Sequence, residues 1–348
     1  MRITVHDIAR VANVSQATVS KVLNNYSGVK ESTRKKVSEA IEELKFTPDS
    51  VARSMVTNKT NTLGLIVGDI SNPFFAESAK IIIGKAQEQG YDVIISNTDH
   101  DDENLENAIQ TLISKRVDGI IISSISRTSI RIKKLHDAGF PVVLYNSRVE
   151  SDSSNSVVLD NYKGAVLAVD HLVELGHESI AFIAGPTKYL TTYERYAGYE
   201  AALKNRGLVL NKEHVYDGEY DYEKVYDFSY NLLSDPDRPT SFFATSDQMA
   251  LAVMDAAASR NIKIPDELSV VGFDNMNISA NQYIGLTTIS QQKENMAELA
   301  LKKLINLIVK KDPHPVSAEL TLEPELIVRK TTSTPNKIIL ERRGYNGT

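Results

Sequence analysis

Gln16, Ala17, Thr18, Ser20, Lys21 and Asn24 are what remains on the outside of a short helix once its apolar residues are removed. Val19, Val22 and Leu23 recur at helical spacing and form the inside, and Ser15 stands where an N-cap belongs. The outward set is short, neutral and hydrogen-bonding, with one cation. Its chemistry is recognition: such side chains reach base edges and phosphates when a helix enters the major groove. A face selected only for solubility would carry Glu and Lys four residues apart. A second set follows from a rule about open α/β sheets, whose ligands bind beyond the carboxyl ends of the strands. That rule selects Ser71, Asn72, Phe74 and Phe75, then Asn146 and Arg148, then residues 189–195, Tyr220, Ser246 to Gln248, and Asp274 with Asn275. Aromatic rings pack on C–H faces, and amide, hydroxyl, Arg and Asp groups sort hydroxyls, so the set suits a polyhydroxylated ligand.

Bond-breaking chemistry finds little to work with. The seven histidines stand at 6, 100, 136, 171, 177, 214 and 314, and none forms an HExxH pattern. No GxSxG and no phosphate-binding Gly loop is present. The best candidate for a divalent metal is the run Asp99-His100-Asp101-Asp102. It reads more simply as a solvated loop whose acids cap a helix starting near Glu103. His171 and His177 flank a helix end and read as structural. The expectation is therefore no enzyme, no cofactor and no metal.

These residues need elements to position them. Thr4 followed by Asp7 is a capping-box pattern, so a first helix starts near Val5, with Ile8, Ala9 and Val11 inside. Ala12, Asn13 and Val14 connect it to the helix after Ser15. A third helix is expected over 32–44, with Ser32 as cap and Val37, Ile41 and Leu44 as stripe. From Leu63 apolar strands alternate with helices. Strands are expected at 63–70, 91–98, 119–124 and 141–146, and helices at 74–89, 103–115 and 128–138. The alternation then restarts. Helices 161–175, 193–206, 222–233 and 247–259 separate strands at 179–185, 214–218, 240–246 and 268–275. A long helix, 291–310, and a last strand pair, 317–328, follow. Near-continuous apolar strands in a βα series mean parallel sheets covered on both faces. Two series mean two doubly wound lobes.

Composition sets the frame. A chain of 348 residues is too long for one ordinary core. Cysteine is absent, which excludes disulfides and thiolate chemistry. No apolar run approaches a membrane span, and Met1 leads straight into the first helix without a signal peptide, so a cytoplasmic location is expected. Residues 1–60 hold ten Lys/Arg and six Asp/Glu, a net +4. The whole chain is −6, so the remaining residues carry −10. A basic head on an acidic body is the asymmetry expected when only the head meets a polyanion.

The runs DIARVANVSQATVSKVLN, VKESTRKKV and FTPDSVARSM make the chain resemble a transcription regulator of the lactose-repressor (LacI/GalR) family, over residues 3–332. The resemblance implies a small all-α helix-turn-helix head (1–47), a hinge helix and linker (48–61) and a periplasmic-binding-protein-like body (62–332). The body is two interleaved α/β lobes joined by three crossovers; residues 333–348 read as a flexible tail. It implies a homodimer on double-stranded operator DNA, with affinity set by a small sugar-like effector. Gln16, Ala17 and Lys21 match base-reading positions; Ser15, Thr18, Asn24 and Thr33 match phosphate contacts; Thr4 and Ser20 join the DNA-facing set. Ala52 and Met55 belong to the hinge, Met55 at the position of a minor-groove wedge that is usually Leu. Asp49 replaces a usual Asn. In the body, Arg195 and Asp274 match effector-binding positions, Tyr220 an aromatic one, and Gln291 a contact near the lobe hinge. Asn146 stands where Asp is common and Ser246 where Asn is. Arg148 beside Arg195 leaves a sugar acid or sugar phosphate open beside a plain sugar. The expected role is repression of carbohydrate uptake or catabolism genes. The alternatives are a global catabolite regulator with a protein corepressor and, further off, a sugar-binding protein or enzyme. Whether the effector induces or corepresses stays open.

Overall fold

The computed structural model describes residues 3–23, 26–46, 59–150, 154–310 and 318–335. The chain divides into two compact units, Met1–Thr60 and Asn61–Thr348. The first is built from α1 (Val5–Val11), α2 (Gln16–Leu23) and α3 (Glu31–Glu43). The Asp7 carboxylate accepts from the Thr4 N–H at 3.0 Å and the Thr4 hydroxyl at 2.7 Å, which fixes the start of α1. Asn13 takes a left-handed φ of 54° in the turn, a conformation Asn tolerates. Ser15 Oγ then accepts the Thr18 N–H at 3.1 Å. Ile8, Ala9, Ala12, Val19, Val22, Val37 and Ala40 make the core. The expected Ser32 cap is corrected: α3 starts one residue earlier, Lys30 holds the cap position, and Ser32 lies inside the first turn. Glu31 there puts a carboxylate against the positive end of the helix dipole.

The second unit holds two six-stranded sheets. The first lobe contains β1 (Thr62–Val67), β2 (Asp92–Asn97), β3 (Gly119–Ile122), β4 (Val142–Tyr145), β5 (Ser156–Leu159) and β11 (Glu319–Leu322), in the order β11-β5-β4-β3-β1-β2. All its neighbours are parallel. The second lobe contains β6 (Ile180–Ile183), β7 (Val215–Tyr216), β8 (Ser241–Ala244), β9 (Ser269–Asp274), β10 (Thr287–Ser290) and β12 (Glu325–Ile327), in the order β12-β10-β9-β8-β6-β7. Only β12 runs antiparallel, with Thr288 opposite Ile327. The covering helices of the first lobe are α4 (Pro73–Glu88), α5 (Asp102–Ser114), α6 (Arg131–Asp137) and α11 (Lys293–Lys310). Those of the second are α7 (Asn161–Glu174), α8 (Leu190–Asn205), α9 (Tyr222–Leu232) and α10 (Asp247–Ser259). Because α11 packs on β3, β4 and β5, the chain changes lobe three times: before α7, before α11 and between β11 and β12.

Helices α7 and α8 cross so closely that a Cβ on Gly198 would lie 2.4 Å from the Tyr162 carbonyl oxygen. Strands β5 and β10 were absent from the sequence reading; each has four residues, and their Ser and Thr break an apolar run. The expected strand pair at 317–328 is also corrected. Its two strands join different sheets, β11 beside β5 and β12 beside β10. Helix α8 starts at Leu190, three residues before the expected start. The supposed loose tail begins in order: Ser333 donates its N–H to Ser269 Oγ at 3.0 Å. Among the described residues no helix is long and apolar enough to cross a membrane.

Candidate functional site

On α2, Gln16, Ala17, Ser20 and Lys21 are exposed, while Val19 and Val22 are buried. At 100° per residue the four exposed residues span one continuous arc opposite the core. The same periodicity that hides Val19 and Val22 therefore presents these four residues to solvent on one face. Ser15 Oγ and Thr18 Oγ1 lie 2.8 Å apart at the helix start, where N–H groups favour an anion. Thr4 is exposed at the start of α1 and Thr33 is half-buried in α3. Asn24, Ala52 and Met55 lie outside the described residues, as does Asp49.

In the second unit the strand ends of both lobes meet in one cleft. Phe74, Phe75, Asn146, Arg195, Tyr220, Ser246, Asp274 and Gln291 line it, brought from both lobes. Non-glycine residues with positive φ crowd its rim: His100 at 59°, Ser124 at 75°, Asn146 at 46° and Asp274 at 127°. Backbone strain of this kind persists only where the surroundings hold it.

Arg195 is buried, its guanidinium 3.7 Å above the Phe273 ring. Nε donates to Asn161 Oδ1 at 2.9 Å and Nη1 to the Thr245 carbonyl at 2.7 Å. Nη2 has no protein partner among the described residues. Three further buried atoms of the cleft are in the same condition: Ser123 Oγ, Asn146 Oδ1 and Gln291 Oε1. Gln291 Nε2 meanwhile donates to the Asp274 carboxylate. Burial, then the neighbouring Asp247 carboxylate, push the Asp274 carboxyl up to about 7. Asp247 is committed to the fold, accepting from the Met276 N–H at 2.8 Å and Ser279 Oγ at 2.6 Å.

Two expected contacts lie elsewhere. Arg148 does not line the cleft. It is held by Glu194 and, at 2.9 Å, by Glu319, so its charge is already neutralised. The Ser71 hydroxyl turns back onto Asp69 at 2.7 Å, and the cleft takes Asn72 in its place. His100 is not part of a solvated loop: its ring packs 5.9 Å from Phe75, 5.7 Å from Tyr189 and 5.6 Å from Tyr220. Its Nδ1 lies 2.9 Å from Ser124 Oγ, and burial lowers its pKa. Asp101 does cap α5, accepting from the Glu103 and Asn104 N–H groups. The acids around His100 thus diverge, and among the described residues no cluster of His, Asp or Glu is arranged for a metal. The signal for His100 was present, since it follows the carboxyl end of β2. Ser123, Ser124, Ser147 and Thr245 follow β3, β4 and β8 in the same way.

Residues 60–325 match the family of periplasmic binding proteins and sugar binding domain of LacI family, and residues 4–49 match bacterial regulatory proteins, lacI family. Catabolite control protein A of Priestia megaterium is 36% identical over 305 residues, 87% of this chain and 92% of the relative. The HTH-type transcriptional repressor PurR of Actinobacillus pleuropneumoniae is 32% identical over 334 residues, 96% of this chain and 99% of the relative. The lac repressor dimer bound to operator and the anti-inducer ONPF aligns with a TM-score of 0.85 at 27% identity, covering 96% of this chain and 100% of that one.

Proposed function

The chain belongs to the LacI family of bacterial regulatory proteins and is a sequence-specific DNA-binding regulator, not an enzyme; from that premise we propose that it represses carbohydrate uptake or catabolism genes under control of a small neutral sugar. The observation that carries the effector half is the set of four partnerless buried atoms: Ser123 Oγ, Asn146 Oδ1, Arg195 Nη2 and Gln291 Oε1. A buried polar atom without a partner costs about 1–3 kcal/mol, which a ligand hydroxyl relieves by donating or accepting. The aromatic wall of Phe74, Phe75 and Tyr220 suits the C–H faces of the same ligand. With Arg148 neutralised away from the cleft, Arg195 is the one guanidinium and Asp274 the one carboxyl among the described residues of the lining. With Nε and Nη1 engaged by the protein, Arg195 has only Nη2 to offer and cannot grip a carboxylate or phosphate through two nitrogens, which favours a neutral sugar over a sugar acid or sugar phosphate.

In this reading two heads sit in successive major grooves of a two-fold operator; the structurally similar lac repressor binds its operator as a dimer. Gln16, Ala17, Ser20 and Lys21 read bases, and Ser15, Thr18, Thr33 and Thr4 hold phosphates. Residues 48–61 serve as the hinge, with Ala52 and Met55 on the minor groove, and Asn24 of the head joins the phosphate contacts. Effector binding changes lobe geometry and through it operator affinity, a coupling typically of about 1–3 kcal/mol. The test is a thermal-shift panel of neutral sugars, sugar acids and sugar phosphates, followed by an operator titration with the best hit. A neutral sugar is expected to raise the Tm and change operator affinity. A response confined to acids or phosphates would overturn the neutral reading. No response at all would shift control to a protein corepressor.

A further inference from the structure

Glu77 and Lys293 both belong to the first lobe, one in α4 and the other opening α11 just after the chain crosses back from the second lobe. Their side chains are 17% and 7% exposed, and Nζ lies 3.1 Å from Glu77 Oε2. That contact is an ion pair outside hydrogen-bond geometry, since Oε2 accepts no directed proton. The ammonium instead donates across the lobe boundary, to the Asn275 carbonyl at 2.5 Å and the Asp274 carbonyl at 3.3 Å. Glu77 Oε1 reaches across as well, accepting the Asn277 N–H at 3.0 Å.

The segment they grip is unusual. Asp274 and Asn275 have φ of 127° and 53°, conformations that L residues adopt reluctantly. Within its own lobe the segment is pinned by Asp247 on the Met276 N–H and by Arg329 Nη2 on Asn275 Oδ1 at 2.6 Å. The first residue of that segment presents the carboxylate that lines the cleft. We propose that Glu77 and Lys293 form an interlobe clasp: they are positioning residues that bind the strained segment 274–277 to α4, so that the lobes separate only by breaking this clasp. A buried pair of this kind is suited to the task. Desolvation offsets much of its attraction, so it opens when water can reach both charges. Once formed, it fixes one geometry, because the two carbonyls and the N–H are met together. The clasp stands on these contacts alone; its use in effector control rests on the function proposed above.

The experiment is hydrogen exchange on the full chain without ligand, read by mass spectrometry together with small-angle scattering. Lys293→Met keeps the length of the stem and removes the charge. Exchange in peptides covering 272–280 and 73–80 is expected to accelerate at least tenfold, and the radius of gyration to rise, while α8 and α10 keep their protection. Glu77→Gln keeps an acceptor for the Asn277 N–H and is expected to accelerate the same two peptides less. It serves as the readout should Lys293→Met fail to fold. Wild-type exchange in 272–280 for either folded variant would overturn the clasp. So would a uniform acceleration across the whole body, which marks a merely structural ion pair. Failure of every sugar to bind would overturn the effector reading and leave the exchange result standing.

Discussion

At the scale of single residues, Arg195 is the side chain on which the cleft turns. Two of its nitrogens are fixed by Asn161 and Thr245, which aims the third at the ligand space. Arg195→Ala is expected to weaken binding of the best sugar by about 1.5–3 kcal/mol, the worth of a hydrogen bond to a charged group. Operator affinity of the unliganded protein should hold. Calorimetric titration checks the first statement and an operator titration at fixed salt the second; sugar affinity within twofold of wild type would remove Arg195 from the contact set. His100 is a different case, because its part is packing. Its ring touches three others, and an aromatic pair is worth about 0.5–1.5 kcal/mol. His100→Ala should therefore lower sugar affinity about tenfold, roughly the upper end of one such pair.

At the scale of elements, α2 and the strand ends around His177 make separate predictions. Gln16→Ala is expected to cost about 1–3 kcal/mol on the preferred operator and to relax selectivity at a single base pair. Thr18→Ala, at the start of the helix and proposed to meet phosphate, should weaken all sequences alike. Competition between an operator and a randomised set separates the two, and equal losses for both variants would contradict the assignment. His177 joins the end of α7 to the starts of β8 and β9. Nδ1 lies 2.9 Å from Thr240 Oγ1, and Nε2 donates to the Ser333 carbonyl at 3.0 Å. Burial pushes this imidazole down to about 4. The unfolded chain takes a proton near pH 6.5 that the native chain refuses until about pH 4, so stability is complete above 6.5 and is lost as pH falls through that window. The loss amounts to about 3 kcal/mol. Asp274 acts in the opposite sense: the unfolded chain gives up its proton near pH 3.8 and the native chain only near 7, so stability is complete below 3.8 and falls as pH rises across that window. Urea melts of wild type and His177→Gln isolate the histidine: the difference between them should shrink between pH 7 and pH 4.

At the scale of the molecule, the two compact units have cores with no residue in common. Removing residues 1–60 is expected to leave a folded body that binds its ligand and has no operator affinity. Circular dichroism, a ligand titration and an operator titration check the three parts, and loss of ligand binding would mean the cleft depends on the head. Much of this organisation was legible in the amino-acid sequence, for a local reason. The heptapeptide scale of helix periodicity exposes Gln16 and Lys21 by the same pattern that buries Val19 and Val22. The rule of strand carboxyl ends is equally local, and it placed Phe74, Asn146, Tyr220 and Asp274 on one rim. What tertiary structure decided is pairing between distant residues. Whether Arg148 is a ligand-binding cation depends on Glu194 and Glu319, far along the chain, which take its charge away from the cleft. Whether Lys293 is a surface residue at a helix start depends on Glu77 and two carbonyls of the opposite lobe. Strands as short as β5 and β10 carry no usable period, and the parallel neighbours that complete their hydrogen bonds are what make them strands.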